Sequence, residues 1–173
     1  YFFLDGSEAT YDGGVTGLFT IFPDYSTICL GTGKDMRLWH NSANSYIDNF
    51  LGHLYIRNFA DDKDIIFQND DGSGGYETYF YLDGSVGAAN PVTRWPDDAR
   101  IQLGTSGDAT LYHDGTDTYF YNSTGDLKII NYADDKDIIF QCDNGSGGVE
   151  TYFFLDGSES AGNPITTFPD NSI

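Results

Sequence analysis

The sequence predicts an all-β fold made of short antiparallel strands in tandem repeats. Apolar and polar residues alternate in short runs with the period of two that a half-buried strand requires. Many of the 21 glycines separate these runs in Asp-Gly, Asn-Gly and Gly-Ser pairs, which favour tight turns. Long strings also return 73 residues further along the chain, and no segment has a convincing helical period.

The candidate strands follow one another at intervals of roughly ten residues, with Gly, Asp or Asn between them. In the second half of the chain they are Ile101–Leu103, Ala109–His113, Thr118–Asn122, Asp126–Ile130, Asp137–Gln141 and Thr151–Leu155. Residues 36–40 and 54–58 alternate in the same way in the first half. The second of these runs predicts a strand with Leu54, Ile56 and Asn58 on one face and Tyr55 and Arg57 on the other.

The repeats define the domain organisation that we expect. The string DDKDIIFQ stands at 61–68 and again at 134–141, and a phrase of the form YF(F/Y)LDGS begins at Tyr1, Tyr79 and Tyr152. We therefore predict a first repeat over 1–78, a second over 79–151 and the start of a third over 152–173. The first spacing is longer, which predicts a loop insertion near 8–21, centred on Tyr11–Gly17. Because the chain begins within the pattern and without Met, we expect a piece of a longer protein.

A single repeat of this kind buries little apolar surface alone, so neighbouring copies are expected to share a core. We predict a trimeric, fibrous β-prism or β-helix-like stack, with a β-propeller or β-sandwich as the alternative. In a trimer the polar residues at the ends of apolar faces would form hydrogen-bonded rings between chains. The alternative is that they are ordinary turn residues. These residues are His40, Asn49, Asn58, His113, Asn122 and Asn131.

The charge balance restricts the partners of the chain. A formal net charge of −19 repels phosphate backbones and anionic lipids, so nucleic acid is an unfavourable partner and membrane insertion is not expected. The two cysteines, Cys29 and Cys142, occupy non-equivalent repeat positions, which argues against a disulfide and predicts small buried fillers.

No residue is predicted to be catalytic, so the chain is not expected to be an enzyme. Asp61, Asp62 and Asp64 recur in the second repeat, which indicates a turn rather than one active site. No histidine motif predicts a metal site, and no cofactor is implied. Calcium is the exception to be tested, at the glycine-rich loops that contain Asp70, Asp71 and Asp143; wide glycine turns are the competing interpretation.

Aromatic side chains provide the candidate binding surface. Trp39, Tyr55, Tyr112 and Tyr119 lie on predicted strands and combine an apolar ring with a polar group, which suits contacts with glycans. The alternative is that these rings pack in the core or between chains.

Three strings resemble the repeats of tail-fibre-like and other structural proteins of marine bacteriophages. They are LYHDGTDTYFYNSTGDLKI at 111–129, DDKDIIFQ, and GSGG followed by a strand ending in LDGS. The resemblance covers nearly the whole chain in both copies, although His40-Asn41-Ser42-Ala43 replaces the HDGT of the second copy. In such proteins the repeats stand in tandem, often ahead of a self-cleaving chaperone domain that helps fibres to trimerise.

The resemblance implies a non-catalytic structural module of a phage tail fibre or related virion appendage. Such a module would act as a stiff extracellular spacer, with its own copies and other virion proteins as partners and host attachment through cell-surface glycans as a further role. A lectin-like glycan-binding or receptor-binding module is the alternative. A tailspike-type polysaccharide hydrolase is a third reading, which needs two neighbouring carboxylates at a break in the repeat.

Overall fold

The chain is all-β in a computed structural model that describes residues 3–11, 15–87, 90–158, 162 and 164–169, with side chains described from residue 20 onward. These ranges contain strands and turns and no helix. The strands are β1 (Phe3–Tyr11), β2 (Val15–Ile21), β3 (Thr27–Leu30), β4 (Met36–His40), β5 (Ser45–Asn49), β6 (Ile65–Asp70), β7 (Tyr76–Asp83), β8 (Val92–Arg94), β9 (Ile101–Leu103), β10 (Ala109–His113), β11 (Thr118–Asn122), β12 (Ile138–Asp143), β13 (Val149–Asp156) and β14 (Ile165–Thr167).

The strands form small antiparallel sheets in chain order. The β1–β2 hairpin comes first, and four three-stranded sheets follow: sheet I (β3-β4-β5), sheet II (β6-β7-β8), sheet III (β9-β10-β11) and sheet IV (β12-β13-β14). Every strand is paired with its neighbour in the sequence, as expected for meanders joined by short turns.

Sheets I and III have the same register, and so do β7–β8 of sheet II and β13–β14 of sheet IV. Met36 pairs with Asn49 and His40 with Ser45 in sheet I. The residues 73 positions further on pair in the same way, from Ala109 with Asn122 to His113 with Thr118. Tyr81 pairs with Arg94 as Phe154 pairs with Thr167. The recurring sequence therefore specifies recurring strand pairing and not composition alone.

The turn between the second and third strands of sheets I and III shows how two different strings produce one structure. The Asn41 side chain accepts hydrogen bonds from the backbone amides of Ala43 and Asn44, and the Asp114 carboxylate accepts them from those of Thr116 and Asp117. Amide and carboxylate oxygens are equivalent in this role. The next position is left-handed in both turns, at φ 70° for Ser42 and φ 92° for Gly115, so the serine carries the strain that the glycine avoids.

Residues 53–59 and 126–132, here called the connecting segments, are not strands of any sheet in the described part of the chain. The predicted strand Asp126–Ile130 and the predicted strand face Leu54, Ile56, Asn58 are therefore corrected. Alternation shows that a segment can form a strand, but a strand also needs a neighbouring strand to bond with. The other predicted strands of the second half are present, with ends extended or trimmed by up to two residues.

The β1–β2 hairpin contains the extra residues of the first repeat. Its base pairs Phe3 with Ile21 and Asp5 with Phe19, the register that β7–β8 and β13–β14 also have. The expected loop insertion near 8–21 differs from the structure, because β1 continues to Tyr11 and β2 starts at Val15 after a register shift between Asp5 and Ala9. Residues 12–14 of that expected loop lie outside the described residues. The insertion lengthens a hairpin and leaves its base unchanged.

The chain divides into two compact units, Tyr1–Ile65 and Ile66–Ile173. Among the described side chains none of the apolar ones is buried, and Thr110 on β10 is the single buried residue at 1% exposure. Cys29 and Cys142 are both exposed, which corrects their prediction as buried fillers. A single sheet is one layer thick, so any cover for its apolar face has to come from outside that sheet.

Candidate functional site

Each three-stranded sheet carries a stack of aromatic rings across its strands. Trp39 stacks on Tyr46 in sheet I, with ring centroids 4.5 Å apart, and their equivalents Tyr112 and Tyr119 stack at 4.8 Å in sheet III. Directly opposed residues on antiparallel strands bring their side chains close together, which explains why one register produces both stacks. These stacks are the candidate contact surface of the chain.

Trp39 has the best-defined geometry of the predicted glycan contacts. Its indole Nε1–H donates a 2.7 Å hydrogen bond to Oδ2 of Asp48, which fixes the plane of the ring against Tyr46. The side chain borders an open groove of about 450 Å³ that Phe22, Leu38 and Ile47 also line. An indole fixed at the edge of a groove and next to a carboxylate is suited to hold a sugar ring.

The Tyr112 ring is in contact with two other side chains. The Arg100 guanidinium carbon lies 4.6 Å from the ring centroid, and Tyr119 stacks on the ring as well. The pKa of Tyr119 is raised because its hydroxyl is hydrogen-bonded to the Asp114 carboxylate. The pKa of Asp114 is lowered, first by the backbone amide of Asp117 and then by that of Thr116. Arginine, tyrosines and turn thus form one connected unit.

Tyr55 lies outside both stacks, in the first connecting segment. The Arg57 guanidinium carbon is 4.2 Å from its ring centroid, and His53 meets the ring edge-on at 6.0 Å. The structure therefore brings Tyr112 and Tyr119 together, pairs Trp39 with the unpredicted Tyr46, and leaves Tyr55 among its own sequence neighbours.

Sequence reasoning missed a second aromatic set in sheets II and IV. Phe67 stacks on Phe80 at 4.6 Å, and Phe80 stacks on Trp95 at 5.5 Å. In sheet IV the equivalents Phe140, Phe153 and Phe168 have centroids 4.4 and 5.9 Å apart. These six aromatic residues stand 73 positions apart in pairs, and this spacing was visible in the sequence. Which three rings meet across one sheet, however, depends on the strand register, which the sequence does not show.

The opposite face of sheets I and III is apolar and exposed. The strand register aligns Ile28, Leu38 and Ile47 across sheet I, and Ile101, Leu111 and Phe120 across sheet III. All six side chains are exposed, with Ile47 at 59% and Phe120 at 54%. We call these two sets the apolar triplets. Side chains of this kind gain free energy when they leave water.

The three calcium candidates act as acceptors for backbone amides. Asp70 binds the amide of Gly72, Asp143 binds that of Gly145 at 2.8 Å, and Asp71 Oδ1 accepts from Ser73 and Gly75 at 2.7 and 3.1 Å. In the second copy Asn144 replaces Asp71 and accepts the same two bonds from Ser146 and Gly148. An uncharged amide oxygen accepts the same two hydrogen bonds as the carboxylate, which supports a turn-forming role for this position.

The polar residues at the ends of apolar faces make local contacts that recur in both copies. The Asn49 amide donates to the carbonyls of Leu51 and Gly52, and Asn122 donates to those of Thr124 and Gly125. Asn58 and Asn131 bind the carbonyls of Asp64 and Asp137, each at 3.0 Å. His40 Nδ1 lies 3.0 Å from the Ser45 hydroxyl, and His113 Nδ1 lies 3.2 Å from that of Thr118. These contacts support the turn interpretation over inter-chain rings.

Two other acidic residues whose side chains are described lie in turns. Asp62 and Asp135 adopt the left-handed conformation at φ 54° in two equivalent tight turns, in which the backbone amides of Lys63 and Lys136 donate to the carbonyls of Ala60 and Ala133. Nowhere in the described ranges do three or more His, Cys, Asp or Glu side chains gather into a group that could hold a metal ion. The described residues also include no helix long and apolar enough to cross a membrane.

Comparison of the chain with protein-family models, with curated proteins and with solved structures finds no match.

Proposed function

We propose that this chain is a non-catalytic structural module of an extended homo-oligomeric assembly, a phage tail fibre or related virion appendage in which it serves as a stiff spacer. The observation that carries the proposal is the set of recurring single-layer sheets with apolar triplets exposed to solvent. Such sheets are stable only when another surface covers them. The appendage and the trimeric count rest on the sequence resemblance.

The accessible surface supports association. Two separate compact bodies with the lengths of the two units would together expose about 10,000 Å². The chain exposes 14353 Å², roughly 4,000 Å² more than that scaling gives. Obligate protein interfaces bury about 2,000–5,000 Å² summed over both partners, or about 1,000–2,500 Å² on each. The excess on one chain is therefore large enough for two obligate interfaces.

Sedimentation equilibrium of the 173-residue chain tests the proposal. We expect the molar mass of three chains at micromolar concentration, together with a frictional ratio above that of a sphere. A monodisperse single chain at tens of micromolar would overturn the proposal, because apolar triplets exposed in a stable monomer need no partner.

A pair of substitutions tests whether the apolar triplets form the interface. Ile47→Ser alters a triplet residue, whereas Tyr25→Ser alters an exposed turn residue of sheet I that lies outside the triplet. We expect the first to weaken association at least tenfold and the second to change it less than twofold. Circular dichroism on both variants establishes that the β-sheet content is retained.

Glycan binding is the second candidate, supported by the fixed indole of Trp39 beside the groove. Binding of the 173-residue chain to immobilised bacterial-surface glycans tests it. We expect any binding to be lost in Trp39→Ala and retained in Tyr112→Ala, because Arg100 and Tyr119 already cover the Tyr112 ring. Equal loss in both variants would contradict the assignment to the groove.

A further inference from the structure

The connecting segments, 53–59 and 126–132, have no strand partner in the described chain. None of the backbone amides and carbonyls of residues 53–57 and 126–130 takes part in a backbone hydrogen bond there. Backbone groups left in this state are satisfied by water or by another strand. Each segment is long enough to add one ordinary strand to a sheet.

Side-chain hydrogen bonds fix both ends of each segment. Before the first segment, Asn49 binds the carbonyls of Leu51 and Gly52, and at its end Asn58 binds the carbonyl of Asp64 and the amide of Ala60. The second segment has the same anchors in Asn122 and Asn131. Anchored ends reduce the entropy that a partner strand would have to remove on binding.

One face of each segment is the same in both copies and the other is not. Leu54 and Ile56 correspond to Leu127 and Ile129, and all four are exposed. On the opposite face Tyr55 corresponds to Lys128, and Arg57 to Ile130. The shared aliphatic face indicates the side that requires cover in both copies.

The charge distribution identifies a second copy of this chain as the occupant. Of 27 acidic residues, Asp126 alone lies inside the two segments, which also carry Arg57 and Lys128. Two chains of net charge −19 can therefore approach at the segments without opposed carboxylates, and Arg57 and Lys128 are attracted to the acidic surface of a second copy. The excess accessible surface derived above supplies the area for such contacts.

We propose that each connecting segment adds as a strand to a sheet edge of a second copy of the chain, with its aliphatic face turned into the shared interior. This proposal rests on the proposed function and adds a second contact between chains to the one through the apolar triplets. Strand addition satisfies the backbone groups on one edge of each segment and covers the Leu and Ile side chains in one step.

Hydrogen exchange of the assembled 173-residue chain, read amide by amide, tests the proposal. We expect alternate amides of residues 54–57 and 127–130, those that face the partner sheet, to exchange at least a hundredfold more slowly in the oligomer than after dilution to the single chain. The β10–β11 hairpin is the internal control, because its hydrogen bonds lie within one chain and its protection should survive dissociation.

The outcomes separate the two proposals. An intact oligomer whose segment amides exchange at unprotected rates overturns strand addition and leaves the structural function standing. A chain that remains monomeric at all concentrations overturns both.

Substitutions on the two faces provide the matched control. Ile56 and Tyr55 are adjacent and similarly exposed, at 61% and 65%. We expect Ile56→Ser combined with Ile129→Ser to weaken association at least tenfold and to lower the protection of the segments. Tyr55→Ser combined with Lys128→Ser should change both by less than twofold, and equal effects from the two pairs would contradict the assigned face.

Discussion

Asp83 at the end of β7 is the residue whose electrostatics are best defined. It accepts hydrogen bonds from the hydroxyl and the amide of Ser85, and its carboxylate pairs with the Arg94 guanidinium on β8. The Ser85 hydroxyl and Arg94 lower the pKa of Asp83 from 3.8 to about 2. At the equivalent position Asp156 keeps the serine partner, Ser158, while Thr167 replaces the arginine.

The lowered pKa of Asp83 predicts an acid-sensitive contribution to stability. A carboxylate with a lower pKa in the folded state stabilises the fold above its unfolded pKa, and the contribution disappears as the pH falls from about 4 to about 2. Asp83→Asn should therefore lower the melting temperature at pH 7, and the difference from the parent chain should vanish near pH 2.

Melting curves by circular dichroism between pH 7 and pH 2 measure this effect. Asp156→Asn is the matched control and should lower the melting temperature less, because no arginine faces it. A difference between Asp83→Asn and the parent chain that stays constant down to pH 2 would refute the assignment.

At the scale of the element, side-chain hydrogen bonds hold the backbone of the glycine-rich loops at 70–75 and 143–148. Asp71 and Asn144 each accept two backbone amides, and a Cβ added at Gly75 would lie 2.7 Å from Oδ2 of Asp71. A larger residue at this position would displace the acceptor side chain from the place beside it.

Substitutions at Asp71 separate the structural role from calcium binding. Asp71→Asn should leave the free energy of unfolding within about 0.5 kcal/mol of the parent chain, whereas Asp71→Ala should lower it by about 1 kcal/mol because two amides lose their acceptor. Urea denaturation measures both values. Calorimetric titration with millimolar calcium should give no heat, and calcium-dependent stability that Asp71→Asn abolishes would contradict the prediction.

The same elements show what sequence can and cannot predict. The strand Ala109–His113 and its partner Thr118–Asn122 were predicted with their observed ends, because alternation and the turn between them are both local properties. Asp126–Ile130 was predicted as a strand and is not one, because the partner a strand needs is not a local property. For the same reason Tyr112 was identified as a candidate while the stacking on Tyr119 and the cover by Arg100 could not be foreseen.

At the scale of the whole molecule, association has to overcome charge. Each chain carries a net charge of −19, so two copies repel each other when they approach. At 0.1 M salt this repulsion acts over about 10 Å, and at larger separations salt screens it. Apolar burial and strand pairing act against this repulsion at short range.

This balance predicts that sodium chloride promotes assembly. Raising it from 20 to 500 mM should lower the dissociation constant of the oligomer by roughly tenfold, because screening weakens the repulsion between chains. Sedimentation velocity across a dilution series measures the constant. Sucrose, which does not screen charge, is the control, and weaker association at high salt would mean that inter-chain ion pairs dominate the interface.

The β1–β2 hairpin has gained residues without a change in the strand pairing at its base. Its base keeps the pairing of Phe3 with Ile21 and of Asp5 with Phe19 although it holds more residues than the corresponding hairpins later in the chain. Length at this place is thus uncoupled from the alignment of the strands beneath it. Such an uncoupled site lets the length of the hairpin vary from one copy to the next while the pairing at its base stays constant, and it is the natural position at which to graft a foreign peptide for display.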